Sequence, residues 1–466
     1  MPHRFPLLVI SSLLLVTAGA QAAVFDVTDF GAKADRTTLD TAAIQAAVDA
    51  CVRAGGGAVR VPRGDYLCGT VRLGSNVRLD LADGATLWSS RRAEDYLRGN
   101  ASLLVAERAQ GIELVGPGTL RGIGEGDLGR RADKSDAKMP EFRAGILRFT
   151  NCRDITVRDL HVLYSDTWGL HFRFCENVTI EGVTIRNHYF HTNSDGIDPV
   201  SCKKVRIARC DIVAGDDCIV CKTADGHPCE DVRVSDCKLE SIATAIKLGT
   251  ESSGDFRDMQ FTNCTIRNST VGIGLFLKDG GTMEQIKFSK IRIENYTPRG
   301  ETNVEKSMFP VFVDIERRHA DSRVGRIRDV TLDEITIRSG CGALIQGMPE
   351  SPIENLTLSN IDFQVREPQD YAQRRKHIGG RRSLSNQRDT EFARLPGWFV
   401  VAHAKGLTVD GLRVTMSDED FRKYPRSALI AAGVDSPQIR NVTRKPQGAQ
   451  YDPPAVSLQG VRPSPE

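Results

Sequence analysis

The sequence predicts an all-β protein: a right-handed parallel β-helix, a single-stranded solenoid with a short N-terminal capping helix. Three observations predict it. Similar segments recur at a fixed step of 27 residues, from Cys175 through Cys202, Cys229 and Phe256 to Met283. Within each segment apolar and polar residues alternate, and Val, Ile and Thr are frequent, which is strand chemistry. A unit this short cannot bury its own apolar face, so it must stack on its neighbours.

The elements follow in chain order. Leu7 to Val16 is an apolar run of ten residues, too short to span a bilayer. His3 and Arg4 precede it and Ala20-Gln21-Ala22 follows, so residues 1–22 read as a signal peptide and the protein is expected to be exported, periplasmic or secreted. Asp40 to Cys51 places Ala43, Ile44, Ala47, Val48 and Cys51 on one helical stripe, and that helix would cover the open edge of the first coil. Gly55-Gly56-Gly57 leads into the first strands. The repeat then runs from Cys152-Arg-Asp-Ile-Thr-Val through Cys175-Glu-Asn-Val-Thr-Ile and Cys202-Lys-Lys-Val-Arg-Ile to Ile353-Glu-Asn-Leu-Thr-Leu. Residues 364–397 interrupt it with Arg374, Arg375, Lys376, Arg381 and Arg382, a surface-loop insertion. Residues 23–466 are otherwise expected to form one domain.

Composition narrows the function. The 62 Lys+Arg nearly balance 60 Asp+Glu, for a formal charge of +2, which gives no bulk-charge case for nucleic acid. A hydrophobic content of 40% argues against disorder, and no membrane association is expected once the signal is removed. Of the 12 cysteines, Cys210, Cys237 and Cys264 again recur at steps of 27, so they stack in ladders as small buried hydrophobes. Disulfides, zinc and redox use are not expected, even for the Cys218-x-x-Cys221 pair. The chain is expected to be a monomer.

The chemistry lies in two consecutive coils. Asn193-Ser-Asp195-Gly-Ile-Asp198 is followed, near one coil length later, by Gly215-Asp216-Asp217-Cys218. The spacing puts carboxylates from neighbouring coils on similar faces. Like charges held close repel, so one should keep its proton near neutrality. A protonated and an ionised carboxyl together are what glycoside hydrolysis uses, with a separation of roughly 6.5–9.5 Å in inverting enzymes.

At these residues the sequence resembles the polygalacturonase-like glycoside hydrolases, pectin-degrading enzymes with a right-handed parallel β-helix. The resemblance extends to Val27-Thr-Asp-Phe-Gly-Ala-Lys, Asp40-Thr-Ala-Ala-Ile-Gln and Asp83-Gly-Ala-Thr-Leu. It implies an inverting hydrolase of galacturonate-containing or related polysaccharides or oligosaccharides, with no cofactor and no metal. Asp216 would be the general acid, Asp195 and Asp217 would hold and deprotonate water, and Asn193 would orient the site or the sugar. Two family motifs are altered. Ala243 stands where a histidine is expected, and Phe276-Leu277-Lys278 replaces Arg-Ile-Lys, losing the arginine. Lys278, with Lys247 and His191, is the candidate for substrate binding.

His188, His227, Trp168 and Tyr164 are further candidates for a sugar cleft, and the Arg-rich insertion for an acidic glycan. Two rival readings use the same scaffold. One is a polysaccharide lyase, whose Ca²⁺ could take these aspartates as ligands. The other is a non-catalytic carbohydrate-binding β-helix, consistent with Ala243 and Phe276.

Overall fold

The computed structural model describes residues 23–99, 101–124, 142–188, 191–295, 309–368, 392–448 and 451–460. The signal segment, most of the Arg-rich insertion and its Arg374, Arg375, Lys376, Arg381 and Arg382 lie outside them.

The strands wind in parallel coils, each pairing with its equivalent in the coils before and after. Parallel strands joined by crossovers take a right-handed path, which gives the expected β-helix. The helix α1 (Thr41–Arg53) buries Ile44, Ala47, Val48 and Cys51 against the first coil, the face its spacing predicted.

Three strands per coil are short because the chain must turn three times. At the third place of the repeat the backbone is left-handed: Asn177, Lys204, Asp231, Asp258, Gln285, Asp329 and Asn355 all have φ between 50° and 56°. Asn and Asp tolerate that region better than most residues, and five of these seven positions carry them. The repeat's polar pair is therefore a bend in the strand.

The interior is a stack of ladders. Cys229 pairs with Phe256, Phe256 with Met283, and Met283 with Ile327, all buried. Thiol, phenyl, thioether and aliphatic groups thus fill one rung position in turn. All twelve cysteines are buried and free, as a core-packing role requires. No helix among the described residues is long and apolar enough to cross a membrane.

One sheet carries the chemistry. Its strands are β1 (Leu170–Arg173), β2 (Ile197–Val200), β3 (Ile219–Thr223), β4 (Thr244–Ser252), β5 (Val271–Leu277) and β6 (Phe309–Ile315). They pair in that order. Ile197, Ile219, Ile246 and Ile273 point into the core. By the period of two, Asp198, Val220, Lys247 and Gly274 face outward.

Candidate active site

Two turns deliver the carboxylates to the outer end of this sheet. In the first, Asn193 adopts φ 60°, Ser194 Oγ donates to the His191 carbonyl at 2.7 Å, and Asn187 Nδ2 donates to the Ser194 carbonyl at 3.0 Å. The second packs directly beneath it. A Cβ on Gly215 would lie 2.2 Å from the His188 carbonyl oxygen and 2.5 Å from Ser194 Oγ, so only glycine lets the two turns close. Gly196 N–H then donates to the Asp217 carbonyl at 2.9 Å, fixing one aspartate turn against the other.

An oxygen from each of Asp195, Asp216 and Asp217 lies within 4.8 Å of the other two. The sequence thus brings the three together as expected. The gap is tighter than the 6.5–9.5 Å anticipated for an inverting pair.

Each carboxylate has a distinct environment. Asp216 is half-buried and accepts the Asn193 N–H at 2.8 Å on Oδ2. Burial, followed by the charge of Asp217, pushes its carboxyl above the ordinary range. Asp217 is buried, with Oδ1 accepting Thr244 N–H at 3.1 Å and Oδ2 accepting Lys247 Nζ at 2.6 Å. Asp195 is buried, accepts Lys222 Nζ at 3.1 Å on Oδ2, and has no hydrogen-bond partner on Oδ1. Burial and then Asp198 push it well up. Asp198 also meets Lys222 and is pushed up to about 6, mainly by burial.

The sequence reading missed three groups. Lys222 is one; a lysine inside the apolar run Ile219-Val-Cys-Lys signals a carboxylate on an adjacent coil. Asp166 and Arg143 are the others. Arg143 Nε donates to the Asp166 carbonyl at 2.6 Å, and its Nη2 to the Thr192 carbonyl. Its charge faces Asp166, Asp195 and Asp216. The Asp166 carboxyl is pushed up to about 7, chiefly by burial.

Other candidates fall differently from expectation. His191 is 1% exposed, with Nδ1 3.8 Å from Asp166 Oδ1, and burial lowers it to about 4. It underlies the rim and does not line a cleft, because the turn that carries Asn193 folds over it. Lys278 is also buried, in an ion pair with Glu316, since its backbone continues outward from β5 beside the next coil. Lys247 is engaged by Asp217, so its first contact is a carboxylate of the trio. Phe276 packs 5.2 Å from Phe312 in an apolar cluster, with Lys247 Nζ 5.5 Å from its ring centroid. Ala243 N–H donates to Ser241 Oγ, which in turn donates to the Asp216 carbonyl. Trp168 lies under Lys222 Nζ at 3.6 Å, while Tyr164 stacks with Arg121 and His227 with Phe174. His188 packs 5.0 Å from His191.

The carboxylate trio is the only described group with the donors to hold a metal ion. Two ammonium groups already occupy its oxygens, at Asp195 and Asp217, where a divalent cation would have to bind.

Residues 51–375 match the family described as Glycosyl hydrolases family 28. The chain belongs to glycosyl hydrolases family 28. It is 32% identical over 215 residues to "Probable polygalacturonase" of Vitis vinifera, covering 42% of this chain and 43% of that protein. It is 30% identical over 207 residues to "Exopolygalacturonase" of Platanus acerifolia, covering 43% and 53%. The chain thus spans about half the length of these curated relatives. The fold superposes on a hyperthermoactive exopolygalacturonase from Thermotoga maritima with a TM-score of 0.62 and 22% identity, covering 74% of this chain and 88% of that one.

Proposed function

We propose that this family 28 protein is an exported glycoside hydrolase acting on pectin-type polysaccharides or their oligosaccharides. The observation that carries the reading is the convergence of Asp195, Asp216 and Asp217 within 4.8 Å, in three unlike environments. Asp216, the least buried of the three and raised by burial and by Asp217, is assigned as the acid. Asp195, whose charge Lys222 offsets on Oδ2, is assigned as the base, the role that the motif implies, and Asp217 orients the water.

In the reaction, Asp216 gives its proton to the glycosidic oxygen as the C–O bond breaks. Water attacks the anomeric carbon from the other side, and its proton passes to Asp195. The anomeric configuration inverts, because water and not a carboxylate forms the new bond. Asp217 is tied down on both oxygens by Thr244 N–H and Lys247, which suits orientation and not nucleophilic attack. Arg143, whose Nε and Nη2 donate to backbone carbonyls, is the cation assigned to a substrate carboxylate in place of the arginine replaced by Phe276.

The lyase reading is disfavoured by Lys222 and Lys247, whose ammonium groups hold the oxygens that its Ca²⁺ would need. The test incubates the mature protein with homogalacturonan, rhamnogalacturonan and other plant glycans. New reducing ends whose first anomer is inverted, abolished by Asp216→Asn, support the reading. Chelator-sensitive unsaturated uronate products support a lyase instead, and binding without new ends supports a non-catalytic protein.

A further inference from the structure

Lys222 is a charge in a strand that is otherwise apolar or small. It is 3% exposed, and a buried ammonium costs several kcal/mol unless its donors are met. Here they meet Asp195 Oδ2 at 3.1 Å, Asp198 Oδ1, and the face of Trp168 at 3.6 Å. Among the described residues no other cation pairs directly with either aspartate. Both carboxylates are almost fully buried, and Asp195 Oδ1 and Asp198 Oδ2 lack a hydrogen-bond partner. One cation therefore stands against two buried carboxylates, only one of which serves the proposed chemistry.

We infer that Lys222 is the positioning residue of the base: its ammonium ties down Asp195 Oδ2 and offsets the charge of Asp198, fixing the carboxylate that takes the proton from water. This rests on the hydrolase reading, although Lys222 itself need touch no substrate. Asp198 is a structural counter-charge in this arrangement. It fixes the ammonium from the far side, so that Lys222 cannot follow Asp195 out toward the solvent. Trp168 closes the third side and excludes water from the pair.

The groups facing Asp195 are Asp198 beside it, Lys222 on β3, Asp216 and Asp217 on the adjoining turn, and Arg143 on the rim. His171 on β1 faces Lys222 and is held neutral, lowered to about 3 by burial first and then by Arg148 and Lys222. Removing Lys222 would leave Asp195 and Asp198 adjacent with no cation between them. Two such carboxylates cannot both ionise readily, so Asp195 would hold a proton to higher pH.

The test compares wild type with Lys222→Met, Lys222→Arg, Asp198→Asn and the Lys222→Met/Asp198→Asn pair. Two readouts are used: the acid limb of kcat/KM against pH, and ¹³C NMR titration of labelled Asp carboxyls, with Asp195→Asn assigning the signal. In Lys222→Met the limb and the Asp195 titration should both rise by at least about one pH unit, with kcat down roughly 100-fold. Asp198→Asn in that background should bring both back down, Lys222→Arg should keep both near wild type, and Asp198→Asn alone should lower them. An unmoved Asp195 titration in folded Lys222→Met overturns the inference. If that variant does not fold, an unmoved titration in Asp198→Asn overturns it. Should wild type cleave no glycan, the hydrolase reading fails while the NMR titration still decides the role of Lys222.

Discussion

Lys247 Nζ lies 2.6 Å from Asp217 Oδ2, across 30 residues of sequence but from one coil to the next. The lysine expected to hold a sugar also holds a carboxylate of the cluster. Removing one partner of a buried pair strands the other charge. Lys247→Met is therefore expected to destabilise the protein by about 3 kcal/mol in chemical denaturation. Adding Asp217→Asn should recover part of that loss, and a fully additive double variant would show that the pair is uncoupled.

Asp216→Asn should cut kcat by at least about 10³-fold while leaving the fold intact. Stability separates this from a folding defect. The Asp216 carboxyl is raised by burial and by Asp217, so the folded state binds its proton more tightly than the unfolded chain does. That contribution is present in acid and is lost as pH rises through the folded pKa. The variant should match or exceed wild type in Tm above neutrality, and a lower Tm there would contradict the assignment.

Asp166 titrates by the same sign. Its carboxyl moves from 3.8 to about 7, first through burial, so its contribution is full below about pH 4 and is lost progressively up to pH 7. Asp166→Asn, which keeps an acceptor for Ile123 N–H, should gain stability relative to wild type across that window and then level off. Denaturation midpoints from pH 4 to 8 measure it.

Gly215→Ala adds one methyl group at the residue before Asp216. That carbon would meet the His188 carbonyl at 2.2 Å, so the two aspartate turns must separate. A stability loss of about 1–3 kcal/mol is expected, with a kcat loss larger than that of any substitution outside the carboxylates. Wild-type kcat in this variant would mean that the turn contact does not set the site.

The twelve free thiols are all buried; burial raises Cys68 and Cys218 well above the ordinary thiol range, and a hydrogen bond with Cys229, then burial, raises Cys221. The folded protein should react negligibly with Ellman's reagent, and all twelve should react once it is denatured. Titration of fewer thiols after denaturation without reductant would reveal disulfides.

The fold was legible because the repeat has to satisfy the same burial at every coil: Cys175, Cys202, Cys229 and Phe256 occupy one rung, and Asn177 and Asp231 one bend. The carboxylates were legible because Asp195 and Asp216 sit near one coil length apart. Lys222, Arg143 and Asp166 were not, since a single lysine in a strand or an arginine at a rim carries no period. Their meaning depends on what the neighbouring coil presents. His191 and Lys278 misled for the same reason, because proximity in sequence to Asn193 or to a family motif does not fix exposure.

The left-handed bend that recurs in coil after coil has a further implication. Because successive windings are closed by the same bend, that device alone does not say which winding lies on which; unequal rungs such as Cys229 against Phe256 say part of it. The cluster adds the rest, since Asp195, Lys222 and Lys247 arrive on three successive windings. The polar groups at the mouth therefore help to register the coils, and the machinery proposed for catalysis doubles as an alignment key of the fold.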